Sequence, residues 1–374
     1  MEKATVINSI LHLFPIKKRK IMFMSHWGNR YNCNPKYLSE YMVEHCPDWD
    51  IVWAFANPEK YEIKGVRVVR FPSIRYFYEL ATCRVFVTNL RMLKHFQKRK
   101  GQFYVQTWHA PLAIKMIEED AEDTLPSNYI KMAKRDSSQM DVLLSGCQKN
   151  TDIFRNCFWF KGPIIPSGTP RQDIMFEDNI NLKEHIKKIL SIENNEKILL
   201  YAPTFRKDGT LEHYNLDFNV LSTTLQQKFG GKWKILLRLH PNIAYLSSKL
   251  SKGLPNVKDV SLYDDIQELL LIADVVISDY SSLVFDYAVT KRPCFLYTPD
   301  LYSYTHSDRG LYFEIQTLPF PYSNSPKELY ESILSFTDSK YKKDVESFWN
   351  SIGSFDDGHA CERVINFINN NCCQ

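Results

Sequence analysis

Val275-Val276-Ile277-Ser278-Asp279-Tyr280-Ser281-Ser282, followed by Leu283-Val284-Phe285-Asp286-Tyr287-Ala288, is the stretch that decides how this chain folds. Three consecutive β-branched residues suit a strand buried on both faces, as in parallel sheets. The polar residues after them mark the strand's end, and the segment from Leu283 to Ala288 reads as a helix. Strand, polar turn and helix in that order form the repeating unit of parallel α/β architecture.

The same alternation extends in both directions. Towards the N-terminus, strands are expected at Ile21-Met22-Phe23-Met24, Ile51-Val52-Trp53-Ala54, Val66-Arg67-Val68-Val69, Val85-Phe86-Val87, Phe103-Tyr104-Val105 and Val142-Leu143-Leu144. A second series runs through Ile198-Leu199-Leu200-Tyr201, Ile235-Leu236-Leu237, Val275-Val276-Ile277 and Phe295-Leu296-Tyr297. Helical spacing fills the gaps, for example from Pro35 to Cys46 and from Ile266 to Ala273. The expected fold class is α/β with two doubly wound, Rossmann-like domains. The polar stretch around Glu177-Asp178-Asn179 places the break between residues 172 and 195. The expected division is 1–20 as a helix, 21–175 and 176–350 as the domains, and 351–374 as a C-terminal helix.

Composition agrees with two cores. With 374 residues, 44% hydrophobic and 14% aromatic, the chain is too long for one ordinary core and too apolar for disorder. A net charge of +4 is too small for a dedicated nucleic-acid binder. The basic runs Lys17-Lys18-Arg19-Lys20 and Lys98-Arg99-Lys100 read either as solvated faces or as attractors of phosphate or anionic lipid. Nine cysteines without C-x-x-C spacing read as reduced, buried thiols rather than a disulfide framework or a zinc site. No apolar run is long enough to span a bilayer, and no signal peptide is recognisable, so a cytoplasmic location is expected. Ile7, Ile10, Leu11 and Phe14 share one helical face, which suits either an interfacial membrane helix or one docked on the protein itself.

Chemically capable residues collect where strands end. Phe103-Tyr104-Val105 runs into Gln106-Thr107-Trp108-His109, and Ile198 to Tyr201 runs into Ala202-Pro203-Thr204-Phe205-Arg206. Ile235-Leu236-Leu237 runs into Arg238-Leu239-His240-Pro241, and Val275-Val276-Ile277 into Ser278-Asp279-Tyr280-Ser281-Ser282. Ligands of open α/β sheets bind outside the carboxyl ends of strands, so these four clusters point to one cleft between two domains. Ser281 and Ser282 open a helix, where they could bind phosphate or simply cap the helix. A reciprocal capping box is absent, because Phe285 stands where Glu or Gln is needed. His109 and His240, read as equivalent strand-end residues of the two halves, could be structural, or one a general base and the other a donor. Arg206 and Arg238 could grip phosphate bidentately or form surface ion pairs. Neither a P-loop nor a G-x-G-x-x-G sequence occurs, and no D-x-D pair calls for a divalent metal. Phosphate charge is then expected to be met by a helix start, Arg and His, with no cofactor.

At these residues the chain resembles the CDP-glycerol glycerophosphotransferase family, the polymerases and primases of teichoic acid and related capsule synthesis. The resemblance rests on Gln106-Thr107-Trp108-His109, Gly168-Thr169-Pro170-Arg171-Gln172-Asp173, Tyr201 to Arg206, Leu237 to Pro241, Ile272 to Ala288, and Arg309-Gly310-Leu311-Tyr312-Phe313. It weakens towards Asn34-Pro35-Lys36-Tyr37-Leu38 and Ala360-Cys361-Glu362-Arg363-Val364. It implies two facing Rossmann-like domains of GT-B type, with the donor bound mainly by the C-terminal one. It also implies a lipid-linked or oligosaccharide acceptor and peripheral attachment to the inner membrane face. His109 matches the family's proposed base. Arg238, His240, Ser281, Ser282, Thr204 and Thr169 match contacts to the donor diphosphate, and Arg206, Asp279 and Arg309 are counted with that donor-binding set.

One departure concerns His109-Ala110-Pro111-Leu112-Ala113-Ile114-Lys115, where the family commonly has His-Gly-Thr-Pro-Leu-Lys. Lysine arrives one position late, so Lys115 does not inherit the family lysine's role. The extra N-terminal region of many family polymerases has no counterpart here, which leans towards a compact enzyme. The expected reaction moves glycerol phosphate from CDP-glycerol to an acceptor hydroxyl and releases CMP. CDP-ribitol is the alternative donor, followed by a GT-B glycosyltransferase using a nucleotide sugar and by a non-catalytic binder of phosphate polymers.

Overall fold

The computed structural model describes residues 10–93, 96–206, 212–214, 216–307 and 310–372. The chain divides into two units: unit 1 is Met1–Pro111, Ile117–Asp173 and Ser354–Gln374, and unit 2 is Leu112–Met116 and Ile174–Gly353.

Unit 1 is built on β1 (Lys17–Met24), β2 (Asp50–Phe55), β3 (Arg67–Arg70), β4 (Cys83–Thr88), β5 (Phe103–Gln106), β6 (Val142–Leu144) and β7 (Ile164–Ile165). They lie in the order β3-β2-β1-β4-β5-β6-β7, and every neighbouring pair is parallel. Unit 2 contains β8 (Glu196–Tyr201), β9 (Lys232–Leu237), β10 (Val257–Asp259), β11 (Val275–Ser278), β12 (Cys294–Tyr297) and β13 (Tyr322–Ser323). Their order is β10-β9-β8-β11-β12-β13, again parallel throughout. Counted from its own first strand, each sheet starts 3-2-1-4-5-6, the doubly wound Rossmann order. The expected fold class is therefore observed in both units. The order reverses between β1 and β4 in unit 1 and between β8 and β11 in unit 2, and these switch points are where such sheets take their ligands.

The expected strands all form, most of them as apolar runs covered on both faces, while the edge strand β3 buries only Val69. Ile21, Met22, Phe23 and Met24 of β1 are fully buried, as are Val276 and Ile277 of β11. Sequence reading missed β7, β10 and β13. Each has only two or three residues, too few to show any periodicity, and β7, β10 and β13 all lie on sheet edges.

The basic runs are solvated only in part, since Lys17, Lys18, Arg19 and Lys100 are exposed and the others are not. Lys17 to Lys20 open β1, and Lys20 is fully buried, paired with Glu79 and donating to Thr82 Oγ1 at 2.6 Å. Arg99 donates to the carbonyls of His12 (2.6 Å), Phe14 (2.9 Å) and Ala81 (2.5 Å), tying the N-terminal segment to unit 1. Residues 1–9 lie outside the described residues, so Ile7 and most of the expected first helix cannot be placed. Of the described end, Leu11 is buried and Phe14 meets Tyr78 edge to face at 5.3 Å, while Ile10 and Leu13 are exposed. No helix among the described residues is long and apolar enough to cross a membrane, and none of their His, Cys, Asp or Glu residues cluster as a metal site. The eight cysteines among the described residues are buried thiols not joined in disulfides.

Helix Ala360–Cys372 is part of unit 1 and packs on helix Cys33–His45. Asp173 starts it, accepting from the N–H groups of Ala360 (3.0 Å) and Cys361 (2.7 Å). A carboxylate on the first free N–H groups of a helix is a favourable cap, which accounts for Asp173 in the Gly168 to Asp173 motif.

Candidate functional site

In unit 1, β5 ends in Gln106 and the chain turns sharply through Trp108, whose φ of 51° is left-handed. A tryptophan does not adopt that region unless its surroundings impose it. Gln106 imposes it from one side: its Oε1 accepts the Trp108 N–H at 3.0 Å. The Gln106 Nε2 is itself fixed on Leu90 O (3.0 Å) and the Tyr104 hydroxyl oxygen (3.1 Å). From the other side Asn34 Nδ2 donates to the carbonyls of Thr107 (3.1 Å) and Trp108 (3.2 Å). Beneath lies a buried ionic core. Arg91 pairs with Glu118 (3.2 Å) and Asp136 (3.4 Å) and covers the Phe158 ring at 3.8 Å, and Tyr104 donates its hydroxyl to Asp136 at 3.1 Å.

This turn delivers His109, half-buried and 4.2 Å from the Trp108 ring. Its Nδ1 lies 3.0 Å from Asn89 O. A carbonyl only accepts, so Nδ1 carries the proton and Nε2 keeps its lone pair. Burial pushes the imidazole pKa down to about 4, with Arg171 adding to the effect and the bond to Asn89 opposing it. His109 is thus a neutral imidazole with its basic nitrogen at Nε2. Thr169 also belongs to unit 1. Its N–H donates to Asp356 at 2.6 Å, and its buried Oγ1 has no hydrogen-bond partner among the described residues.

In unit 2 the ends of β8, β9 and β11 converge. Asp279, just past β11, accepts the Thr204 N–H (2.9 and 3.1 Å) and thereby joins the two strand ends at the switch point. Arg206 lies beneath, with 2% of its surface exposed. Its Nε and one Nη2 N–H go to Asp300 (2.6 and 3.1 Å), Nη2 also meets Asp279 at 2.9 Å, and Nη1 donates to the Thr204 carbonyl (2.8 Å) and hydroxyl (2.6 Å). Tyr280 and Tyr304, stacked at 3.9 Å, lie 4.9 and 4.8 Å from the guanidinium. Burial works against the Arg206 charge, but Asp279 and Asp300 overcome it and hold the pKa above its ordinary value. A guanidinium has five N–H groups, and these contacts use all five. The expectation that Arg206 grips phosphate therefore gives way to another role: it locks the Thr204 loop onto Asp279, which is likewise spent on structure.

His240 is exposed and follows β9. Its Nδ1 accepts the N–H of Asn242 at 3.2 Å, which leaves the neutral ring its proton on Nε2. The ring lies 5.6 Å from Phe205, so the Thr204 loop and the β9 end are neighbours. Arg238 donates through Nη1 to Val260 O (3.2 Å) and Tyr263 O (2.8 Å). Ser281 and Ser282 are half-buried before helix Leu283–Ala288. Ser282 makes no capping bond, and its hydroxyl oxygen accepts weakly from Ile114 N–H at 3.5 Å. Ser281 Oγ accepts weakly from the Leu283 N–H at 3.4 Å, so capping accounts for Ser281 in part and not for Ser282. Arg309 lies outside the described residues. Lys115 bridges Leu311, with its Nζ 5.5 Å from the Tyr304 ring.

One sequence expectation changes. The histidines do not occupy equivalent positions: His109 follows the fifth strand of unit 1, and His240 the second of unit 2. Thr169 belongs to unit 1, whereas Thr204, Arg206, Arg238, Asp279, Ser281 and Ser282 belong to unit 2. Sequence reading also passed over Asn89, Asp300 and His26, all of which follow strand ends (β4, β12 and β1). The rule that found the four clusters would have found these as well.

The chain matches the family profile of CDP-glycerol:poly(glycerophosphate) glycerophosphotransferases over residues 6–370. It is 31% identical to a teichoic acid poly(glycerol phosphate) polymerase of Staphylococcus epidermidis over 94% of this chain and 51% of that one, so it spans about half of that relative. A polymerase of the same name from Bacillus spizizenii is 30% identical, with 96% of this chain and 94% of the relative covered. Among solved structures, a histidine variant of the wall teichoic acid polymerase TagF soaked with CDPG superposes with a TM-score of 0.86. It has 29% identity and covers 99% of this chain and 94% of that one. The chain belongs to the CDP-glycerol:poly(glycerophosphate) glycerophosphotransferase family.

Proposed function

We propose that the chain transfers glycerol phosphate from CDP-glycerol to a hydroxyl of a lipid-linked or glycan acceptor and releases CMP, in teichoic acid or capsular polymer synthesis. The observation that carries the reading is the opposite wiring of two strand-end imidazoles: a lone pair at Nε2 of His109 and a proton at Nε2 of His240. Phosphoryl transfer needs one group of each kind, a base for the nucleophile and donors for the charge that develops.

In this mechanism His109 Nε2 takes the acceptor hydroxyl's proton. The oxygen attacks the β-phosphorus, forming the new P–O bond as the bond to the bridging oxygen breaks. CMP departs with that electron pair. His240 Nε2–H, Arg238 and the hydroxyls of Ser281 and Ser282 hold the pyrophosphate charge, with Thr204 positioned by Asp279 and Arg206. Glycerol is preferred over ribitol because the family and both polymerases compared above are named for glycerol phosphate. Attachment to the cytoplasmic membrane face through the exposed Ile10 and Leu13 belongs to the same proposal.

The test is a donor panel of CDP-glycerol, CDP-ribitol and UDP-sugars, read by the nucleotide released. CMP from CDP-glycerol is the expected result. A nucleoside diphosphate from a UDP-sugar would move the chain to glycosyl transfer, and CMP from CDP-ribitol alone would change the donor.

A further inference from the structure

The chain reverses at the end of β1 through His26, Trp27 and Gly28, whose φ values are 46°, 52° and 79°. Two successive non-glycine residues in the left-handed region cost strain, and such strain persists only where neighbours over-determine it. Here they do. His26 N–H donates to Asn89 Oδ1 at 3.0 Å, Trp27 Nε1 donates to Arg91 O at 2.9 Å, and Asn89 Nδ2 donates to Ser25 Oγ at 3.1 Å. Gly28 N–H donates to Ser25 O at 2.8 Å, and Gly28 O accepts from Ala56 N–H at 2.8 Å. A Cβ at Gly28 would lie 3.0 Å from Ala56 N and 3.1 Å from Ala54 O, so the turn is also closely packed.

The clamp residue is the informative part. Asn89 holds His26 by its side chain and His109 by its carbonyl. The two imidazoles end up with their ring centres 6.5 Å apart, at the switch point between β1 and β4 where doubly wound sheets take ligands. His26 remains half-buried rather than enclosed. Positive charge is close by as well: Arg171, whose backbone N–H is fixed on Asn34 Oδ1 at 3.1 Å, is near enough to act on the His109 ring. A base flanked by a second imidazole and a guanidinium suits a substrate whose reacting hydroxyl neighbours an anionic oxygen.

We propose that His26 is a substrate-contacting residue of the acceptor subsite, hydrogen-bonding an anionic phosphodiester oxygen beside the hydroxyl that His109 deprotonates. The subsite lies wholly within unit 1, and the proposal rests on the phosphotransferase reading above. It gives recognition of a phosphodiester-bearing chain end to a residue of this chain other than those that hold the donor.

His26→Asn is the informative variant, because asparagine accepts the left-handed region while its shorter side chain withdraws the reach of Nε2. His26→Gly accepts the same backbone and serves if the first variant fails to fold. The probes are an oligo(glycerol phosphate) primer and the same primer with its terminal phosphodiester replaced by an uncharged ether. In His26→Asn the KM for the charged primer should rise about 10- to 100-fold, the effect of losing one hydrogen bond to a charged group. The KM for CDP-glycerol should stay within about twofold, and the preference for charged over uncharged primer should fall by the same factor as the primer KM rises. An unchanged primer KM, or an equal loss with both primers, overturns the proposal. Titration calorimetry with primer alone reads the subsite without turnover, so absence of CMP release from the wild-type protein would count against the function and not against His26. Equal primer affinity of wild type and variant in that experiment would count against His26.

Discussion

His109 in unit 1 and His240 in unit 2 are held by bonds of opposite sense. His109 gives its Nδ1 proton to a backbone carbonyl, whereas His240 receives a backbone proton at Nδ1. Surroundings sharpen the contrast, since His109 is half-buried over Trp108 and His240 stands exposed beside Phe205. What sets the role of an imidazole here is the partner of its far nitrogen, which fixes the tautomer and so the character of Nε2.

The largest effect should come from His109. Replacing it with Asn removes the proposed base and should cut CMP release by about 10²- to 10⁴-fold, with the folded structure retained in circular dichroism. Replacing His240 with Ala removes the proposed donor to the developing charge and should lower kcat by about 10²- to 10³-fold. An equal loss in KM alone would make His240 a ground-state contact. Arg206→Met should act mainly on stability, because it leaves Asp279 and Asp300 buried without their cation. Loss of one partner from a buried ion pair costs about 3–5 kcal/mol, readable by urea unfolding. If instead stability holds and only the KM for CDP-glycerol rises, Arg206 is on the phosphate after all.

Much of the fold was legible because parallel strands covered on both faces leave unbroken apolar runs, as at Ile21 to Met24 and Ile198 to Tyr201. What escaped was short or non-local. β7, β10 and β13 are too brief to carry a pattern, and the pairing of Lys20 with Glu79 joins residues whose proximity no local spacing reveals. Lys20 read as surface for that reason, together with Lys17, Lys18 and Arg19, which are exposed. For the candidate site, strand-end reading singled out His109, His240 and the Ser281-Ser282 pair, each of which follows a strand end in the structure. It could not tell a phosphate-binding arginine from one already saturated, since Asp300 lies 94 positions from Arg206. The His109 tautomer was equally invisible, being set by Asn89, 20 positions away, whereas that of His240 is set locally by the turn into Asn242.

The smallest effect concerns pH. Folding lowers the His109 pKa from the ordinary 6.5 to about 4. Between those values the unfolded chain binds a proton that the folded one refuses, so His109 withdraws stability progressively as pH falls from 6.5 towards 4. Above pH 6.5 it contributes nothing to the slope. Thermal unfolding of wild type and His109→Asn at pH 7 and pH 5 should therefore show the variant gaining relative to wild type at the lower pH. A constant difference would mean that the ring is not desolvated.

The most direct measurement is the nitrogen-15 NMR spectrum of the imidazoles at pH 7, with His109→Asn and His240→Ala used for assignment. A protonated Nδ1 and bare Nε2 on His109, together with the reverse on His240, is the predicted result. The same tautomer on both rings, or an imidazolium at His109, would contradict the division of labour between base and donor.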